Sequence, residues 1–163
     1  MANSGIKGQF SMFRGASTLN MDSKGRVAFP TRYREEIASA DRNSLVMTVN
    51  NTRERCLWLF TVAEWERVEQ KVVDLPSFNG QAQSLKRLLI GYATDCEMDA
   101  SGRIRISTPL IEFAGLNKRV VMIGQGNKFE LWDEDLWKAK CNEWLKDSAD
   151  ESPLSDHLAN LSL

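Results

Sequence analysis

Apolar and polar positions along this chain change period twice, and in the same order. Arg26-Val27-Ala28-Phe29 alternates, with Val27 and Phe29 on one face and Arg26 and Ala28 on the other, the period of a half-buried strand. Phe13 to Asn20 is a mixed stretch suited to an earlier strand. Between them, Asp22 to Gly25 carries turn chemistry: Asp bonds its own downstream backbone and Gly tolerates positive φ. The three pieces predict a β-hairpin with a polar tip. Pro30 then opens a short helix over Thr31 to Ala40. Leu45–Val49 and Cys56–Phe60 are two further strands. The period lengthens after them, and Trp65, Val68 and Val72 share one helical face. Thr61 and Glu64 have capping-box spacing at its start.

The order then repeats. Tyr92 to Met98 is a predicted strand, Asp99 to Gly102 a turn and Arg103 to Ile106 the return strand. Thr108-Pro109 reads as a cap and first-turn pair, with Gly115 as the helix stop. Val120–Ile123 and Lys128–Trp132 follow as strands. A second long helix, capped by Asp133, aligns Trp137, Cys141, Trp144 and Leu145. A linking helix over Gln81 to Ile90 is expected to bury Leu85, Leu88 and Leu89. From Asp147 the tail is polar until Leu154, Leu158, Leu161 and Leu163, which have loose helical spacing.

One phrase marks the repeat: Met21-Asp22-Ser23-Lys24-Gly25-Arg26 reappears as Met98-Asp99-Ala100-Ser101-Gly102-Arg103. The two Asp positions are 99 − 22 = 77 residues apart, close to half of the 163. A unit of four short strands leaves open sheet edges and little buried area. Two such units can pair their sheets about a pseudo-two-fold axis and close a small barrel. The expected class is α+β, rich in β.

No apolar run approaches the ~20 residues of a membrane span, and Met1 to Gln9 lacks the pattern of a secretory signal. A cytoplasmic location is expected. Cys56, Cys96 and Cys141 are odd in number and widely spaced, unlike a disulfide framework. Each has apolar neighbours and is expected in the core. Only one histidine, His157, is available to help a metal site, so no metal is expected.

Net charge is −1, but it is unevenly spread. Residues 1–60 carry nine Lys/Arg and five Asp/Glu (+4), 61–132 carry nine of each, and 133–163 carry three and eight (−5). An acidic total leaves room for a basic face.

Enzyme motifs are missing from the sequence: there is no Gly-rich phosphate loop, no His-Glu-x-x-His and no Gly-x-Ser-x-Gly. No catalytic residue, cofactor or small-molecule substrate is assigned. Asp22 and Asp99 each precede an Arg by four residues, which favours a local ion pair over a catalytic acid. Arg26 and Arg103 have two readings. They hold the hairpin through Asp22 and Asp99, or those carboxylates orient them toward a phosphate or a guanine edge. Arg14, Lys24, Arg32 and Arg34, read as a cluster around the first turn, favour the second. In the second unit Arg105 takes the outward position that Ala28 holds in the first. The five tryptophans have helical and strand spacing that suits core or interface better than base stacking.

Asp22-Ser23-Lys24-Gly25-Arg26 with Pro30-Thr31-Arg32-Tyr33-Arg34, Asp99-Ala100-Ser101-Gly102-Arg103, and Gly124-Gln125-Gly126-Asn127-Lys128-Phe129-Glu130-Leu131-Trp132 together resemble the MraZ family. These are bacterial transcriptional regulators with two tandem SpoVT/AbrB-type domains. The resemblance runs from Met12-Phe13-Arg14-Gly15 to the leucine-rich tail. It implies swapped-hairpin half-barrels related by pseudo-symmetry, a ring-like homo-oligomer of eight or more copies, and a place at the nucleoid. It also implies binding to double-stranded promoter DNA at short G-containing direct repeats upstream of the division and cell-wall gene cluster, as a repressor that includes its own gene. Carried over by position, Arg26 and Arg103 are the primary DNA-binding residues, supported by Lys24 and Arg14. Asp22, Gly25, Asp99 and Gly102 form the supporting turns.

The second turn lacks a lysine at the place of Lys24, which implies a weaker contact there. The expected division is an extension at 1–11, which precedes the family's usual start, then a first domain at 12–76. A connecting helix at 77–90, a second domain at 91–146 and an acidic tail at 147–163 follow. The rival function is a non-catalytic, swapped-barrel oligomer that binds acidic protein partners through the same arginines.

Overall fold

A computed structural model of the chain describes residues 12–41, 43–148 and 155–161. The extension at 1–11, Leu154 and Leu163 lie outside them. Eight strands are found among these residues: β1 (Ala16–Asn20), β2 (Arg26–Ala28), β3 (Ser44–Val49), β4 (Leu57–Thr61), β5 (Thr94–Glu97), β6 (Arg103–Arg105), β7 (Arg119–Gly124) and β8 (Phe129–Asp133). The helices are α1 (Thr31–Asp41), α2 (Val62–Val73), α3 (Gly80–Leu89), α4 (Thr108–Ala114), α5 (Glu134–Ser148) and the short α6 (Asp156–Ala159).

The strands make a six-stranded antiparallel sheet in the order β1-β7-β8-β4-β3-β5, and a separate two-stranded ribbon, β2-β6. Exchanging β1 with β5, β3 with β7 and β4 with β8 reverses the sheet order without changing it. That is a pseudo-two-fold axis. It passes between β4 and β8, where Trp58 faces Glu130, and through the ribbon, where Val27 faces Ile104. Each unit lends its first strand to the other's sheet: β1 pairs with β7 and β5 with β3. The swapped hairpins close each half with the other's backbone.

Alternation along the strands explains the layers. Val27, Phe29, Ile104 and Ile106 point inward from the ribbon and its ends, all at most 1% exposed. They meet Leu45, Met47, Leu57, Leu59, Phe129 and Leu131 of the sheet in one core, which Tyr33, Ile37 and Leu110 of α1 and α4 also enter. The sheet's other face splits in two. Val46 and Phe60 pack under α2 and α3 with Trp65, Val72 and Leu89, while Val121, Ile123 and Trp132 pack under α5 with Trp137. Burial of Cys56 and Cys96 pushes their thiols up to about 12 and about 11, as befits small core residues; Cys141 is half-buried.

Several boundaries differ from those expected. The strand expected from Tyr92 begins only at Thr94, because Gly91 and Tyr92 still turn out of α3 through bonds to the Lys86 and Leu88 carbonyls. The cap of α4 is Ser107, which places Thr108 inside the helix, and Gly115 ends it at φ +61°. Thr61 accepts from the Glu64 amide at 3.4 Å, but the Glu64 carboxylate turns to Arg67 and Asn127 instead of closing the box. In α3 the buried pair is Ala82 and Leu89, and Leu88 is exposed. In α5 Trp144 edges onto Trp132 and Trp137, and Leu145 faces outward.

The swap has a consequence for folding. A fragment of residues 12–88 leaves β1 without β7 and β2 without β6, and exposes the inner faces of both. We expect it to be dimeric or unfolded, never a folded monomer; light scattering of the purified fragment checks this.

Candidate nucleic-acid interface

The two turns are built alike, atom for atom. In the first, the Asp22 Oδ1 accepts from the Lys24 and Arg26 amides, each at 2.9 Å, and Oδ2 accepts from the Arg26 Nε at 2.8 Å. In the second, the Asp99 Oδ1 accepts from the Ser101 and Arg103 amides at 2.9 Å, and Oδ2 from the Arg103 Nε at 3.2 Å. The amide of Arg26, above all, holds the Asp22 carboxyl below its ordinary range, and the amide of Arg103 does the same for Asp99. Both readings of the arginines therefore meet in one geometry. The brace engages Nε and leaves the terminal nitrogens of each fork outside it; such a planar pair of donors matches a bidentate acceptor.

Each turn is also tied to the other half. Ile106 N–H donates to the Gly25 carbonyl and Phe29 N–H to the Gly102 carbonyl, both at 2.8 Å. Gly25 and Gly102 have φ of +80° and +76°. A Cβ on Gly25 would meet the Ile106 carbonyl oxygen at 2.9 Å, and one on Gly102 would overlap the Arg34 guanidinium.

The ribbon register brings the cations together in an order that the sequence hides. Arg26 faces Arg105, and Ala28 faces Arg103. All four share the outward face, because Val27 and Ile104 between them point inward. One end of the ribbon thus holds the first turn with Lys24, Arg26 and Arg105. The other holds the second turn with Arg103.

Arg34 and Arg32 do not join the first turn, contrary to the expectation. Arg34 lies against Gly102 of the second turn and donates through Nε to the Phe29 carbonyl at 2.7 Å. Arg32 lies along β1, over the Tyr33 ring and bonded to the Ser17 hydroxyl at 3.0 Å. Arg14 sits before β1, at the end remote from the turn, where its carbonyl accepts from the Tyr33 hydroxyl. The reason is the swap: each α-helix after a return strand packs beside the partner hairpin. Ile111 of α4 takes the two-fold-related place against Gly25.

The tryptophans belong to the sheet's helical side, away from the ribbon. Trp65 of α2 is buried against Val46 and Phe60 of the sheet, and Trp132, Trp137 and Trp144 form one ring cluster. A cleft of about 590 Å3 flanks the first turn, lined by Asp22, Lys118, Arg119, Asp133 and Glu134 among others. Its charges are mixed, and Arg119 is paired to Glu134 at 3.2 Å. No group of three or more metal-ligating side chains occurs among the described residues. No helix among them is long and apolar enough to cross a membrane.

A tandem pair of swapped hairpins, closed about a pseudo-two-fold and presenting two Asp-braced arginines, defines an α+β protein of two like units. The model of the family described as "MraZ protein, putative antitoxin-like" matches residues 12–88 and again 89–157. The chain belongs to the MraZ family. Among relatives, it is 48% identical to the transcriptional regulator MraZ of Thioalkalivibrio sulfidiphilus over 93% of this chain and all of that one. It is 49% identical to the protein of that name from Legionella pneumophila strain Corby, over 90% and 94% of the two chains. For the one from Methylococcus capsulatus the identity is 50% over 85% and 90%. All three of these relatives carry the name transcriptional regulator.

The brace has a pH signature. Asp22 and Asp99 titrate below their ordinary value of 3.8 in the fold. What they add to stability is complete above that value and is lost as pH falls through the lower, folded-state one. Asp22→Asn removes the charge at any pH. We expect it to weaken DNA binding less than loss of Arg26 itself, and to abolish the part of acid unfolding that this carboxyl causes; binding isotherms and acid titration of the variant check both.

Proposed function

We propose that this protein represses the division and cell-wall gene cluster, its own gene included, by laying the β2-β6 ribbon against short G-containing direct repeats upstream. The observation that carries this reading is the outward face of the ribbon, where two Asp-braced arginines and Arg105 stand with Lys24 beside them. The major groove of B-DNA admits a two-stranded ribbon, and arginine donates bidentately to guanine O6 and N7. Arg26 and Arg103 are the primary contacts; Lys24 supports Arg26 at the turn. Arg14, remote from both turns, is assigned to the phosphate backbone. The site of action is the nucleoid, in the cytoplasm.

One ribbon makes few contacts, so repetition supplies the affinity. A ring-like homo-oligomer of eight or more copies holds several ribbons at fixed spacing. Linked engagement of repeated sites then multiplies weak binding by about 10²–10⁴. The test is a salt-controlled footprint of the purified protein on the DNA upstream of its own gene. We expect protected, regularly spaced repeats, and an affinity that falls steeply as salt rises, because phosphate contacts release counterions. No protection, or an affinity indifferent to salt, would overturn the reading in favour of an acidic protein partner.

A further inference from the structure

We infer that Arg105 gives the ribbon a direction, so that each copy reads its DNA repeat one way round. The inference rests on the proposed DNA reading. A protein with true two-fold symmetry favours two-fold symmetric DNA, since operator palindromy mirrors the symmetry of the reader. Arg26 and Arg103 are related by the pseudo-two-fold, and alone they would bind a site equally well in either orientation. Direct repeats require something that breaks this equivalence.

The ribbon face breaks it at one position. The pseudo-symmetry mate of Arg105 is Ala28, since 105 − 28 = 77, the same offset as between Arg26 and Arg103. Arg105 is exposed, and among the described residues no ion pair holds it, whereas Asp22 braces Arg26 and Asp99 braces Arg103. Register carries Arg105 away from its own turn to the first one, directly opposite Arg26. Lys24, whose mate in the second turn is Ser101, adds to the same end. The first-turn end therefore adds Lys24 and Arg105 to its braced arginine, while the second-turn end adds to Arg103 only Arg34, which lies against Gly102 and is tied through Nε to the Phe29 carbonyl.

The pairing geometry also indicates an anionic ligand. Ile106 N–H to the Gly25 carbonyl and Phe29 N–H to the Gly102 carbonyl mark those pairs as the hydrogen-bonded ones. Alternation makes Arg26 and Arg105 a non-hydrogen-bonded pair, in which Cα atoms are only about 4.5 Å apart. Like charges directly opposite each other destabilise a sheet. Asp95 and Glu97 line a shallow groove with Arg105 but form no ion pair with it. A phosphate or guanine held between the two guanidinium groups resolves the repulsion, and two adjacent forks at one end fix which end of the repeat lies there.

The test uses the full chain, the DNA segment that it protects, and a copy of that segment with one repeat inverted. Wild type is expected to bind the direct-repeat segment more tightly than the inverted one. Arg105→Ala is expected to lose about tenfold in affinity for the direct repeats, the scale of one good arginine contact, and to bring the ratio between the two DNAs toward one. Its thermal midpoint should be unchanged or raised, since a like-charge pair is gone. Ala28→Arg, which restores the symmetry without removing a contact, should also lower the ratio. If wild type binds both DNAs equally, or if Arg105→Ala keeps both affinity and ratio, the inference is overturned while the DNA reading survives. If wild type binds neither DNA above an unrelated sequence, the DNA reading itself has failed.

Discussion

Arg26→Ala is expected to abolish specific DNA binding while leaving the fold and the assembly intact. The side chain is 31% exposed and bonded to Asp22 of its own turn, and it takes no part in the hydrophobic core. Truncation removes the Nε bond to Asp22 and the fork beyond it. The turn keeps its Oδ1 bonds to the Lys24 and Arg26 amides, so the hairpin holds its shape. An arginine that donates bidentately to guanine is worth about 1–3 kcal/mol of discrimination. Because every copy loses the same contact, the losses compound over the engaged repeats. We expect at least about tenfold weaker binding per engaged copy on that scale. Arg103→Ala should lose less, because Arg103 faces Ala28 across the ribbon where Arg26 faces Arg105, and its turn has Ser101 in the place of Lys24. Shift assays at fixed salt, with sedimentation of each variant as the control for assembly, decide both. An Arg103 variant weaker than the Arg26 variant would show that the second turn dominates.

What the sequence reveals and what it hides divide along the range of the interaction. The hairpins, the alternation of Val27 and Phe29 against Arg26 and Ala28, the αL stop at Gly115 and the Asp-Arg braces all depend on residues a few positions apart. Local periodicity exposes them. The swap depends on pairing between units 77 residues apart, and no single hairpin announces its partner. The repeated phrase together with the open edges of a four-stranded unit suggests a closed pair. Which strand crosses, and in which register, is a matter of the whole core. That is why Arg34 looks like a neighbour of the first turn along the chain but lies on the second. Arg105 looks like part of the second turn but faces Arg26. Once the ribbon is centred on the inward pair Val27 and Ile104, position 26 falls opposite 105. The exposed Leu88 and Leu145 have another origin. Helical spacing defines a face, but only the packed neighbour decides how much of it is covered.

Gly25→Ala should be strongly destabilising, and Gly115→Ala is its natural comparison. Both glycines have positive φ, +80° and +61°, so alanine at either meets the left-handed penalty of about 1–2 kcal/mol. Around Gly115 a Cβ finds open space, and the penalty stops there. At Gly25 the same methyl lies 2.9 Å from the Ile106 carbonyl oxygen and 3.0 Å from Ile111 Cδ1. The oxygen is backbone of the other unit and has no rotamer to escape into. The two segments must separate there, which threatens the 2.8 Å bond from Ile106 N–H to the Gly25 carbonyl; such a bond adds about 0.5–1.5 kcal/mol. Gly25→Ala is then expected to lower the unfolding free energy by about 1.5–3.5 kcal/mol, the sum of those two contributions, and Gly115→Ala by the left-handed penalty alone, about 1–2 kcal/mol. The same displacement moves Arg26 off the register that sets it opposite Arg105. DNA affinity should therefore fall with Gly25→Ala and stay level with Gly115→Ala. Denaturant midpoints and binding isotherms of the two variants, measured side by side, test the claim that this glycine is fixed by the approach of the other half as well as by its own turn. Equal midpoints for the two would refute it.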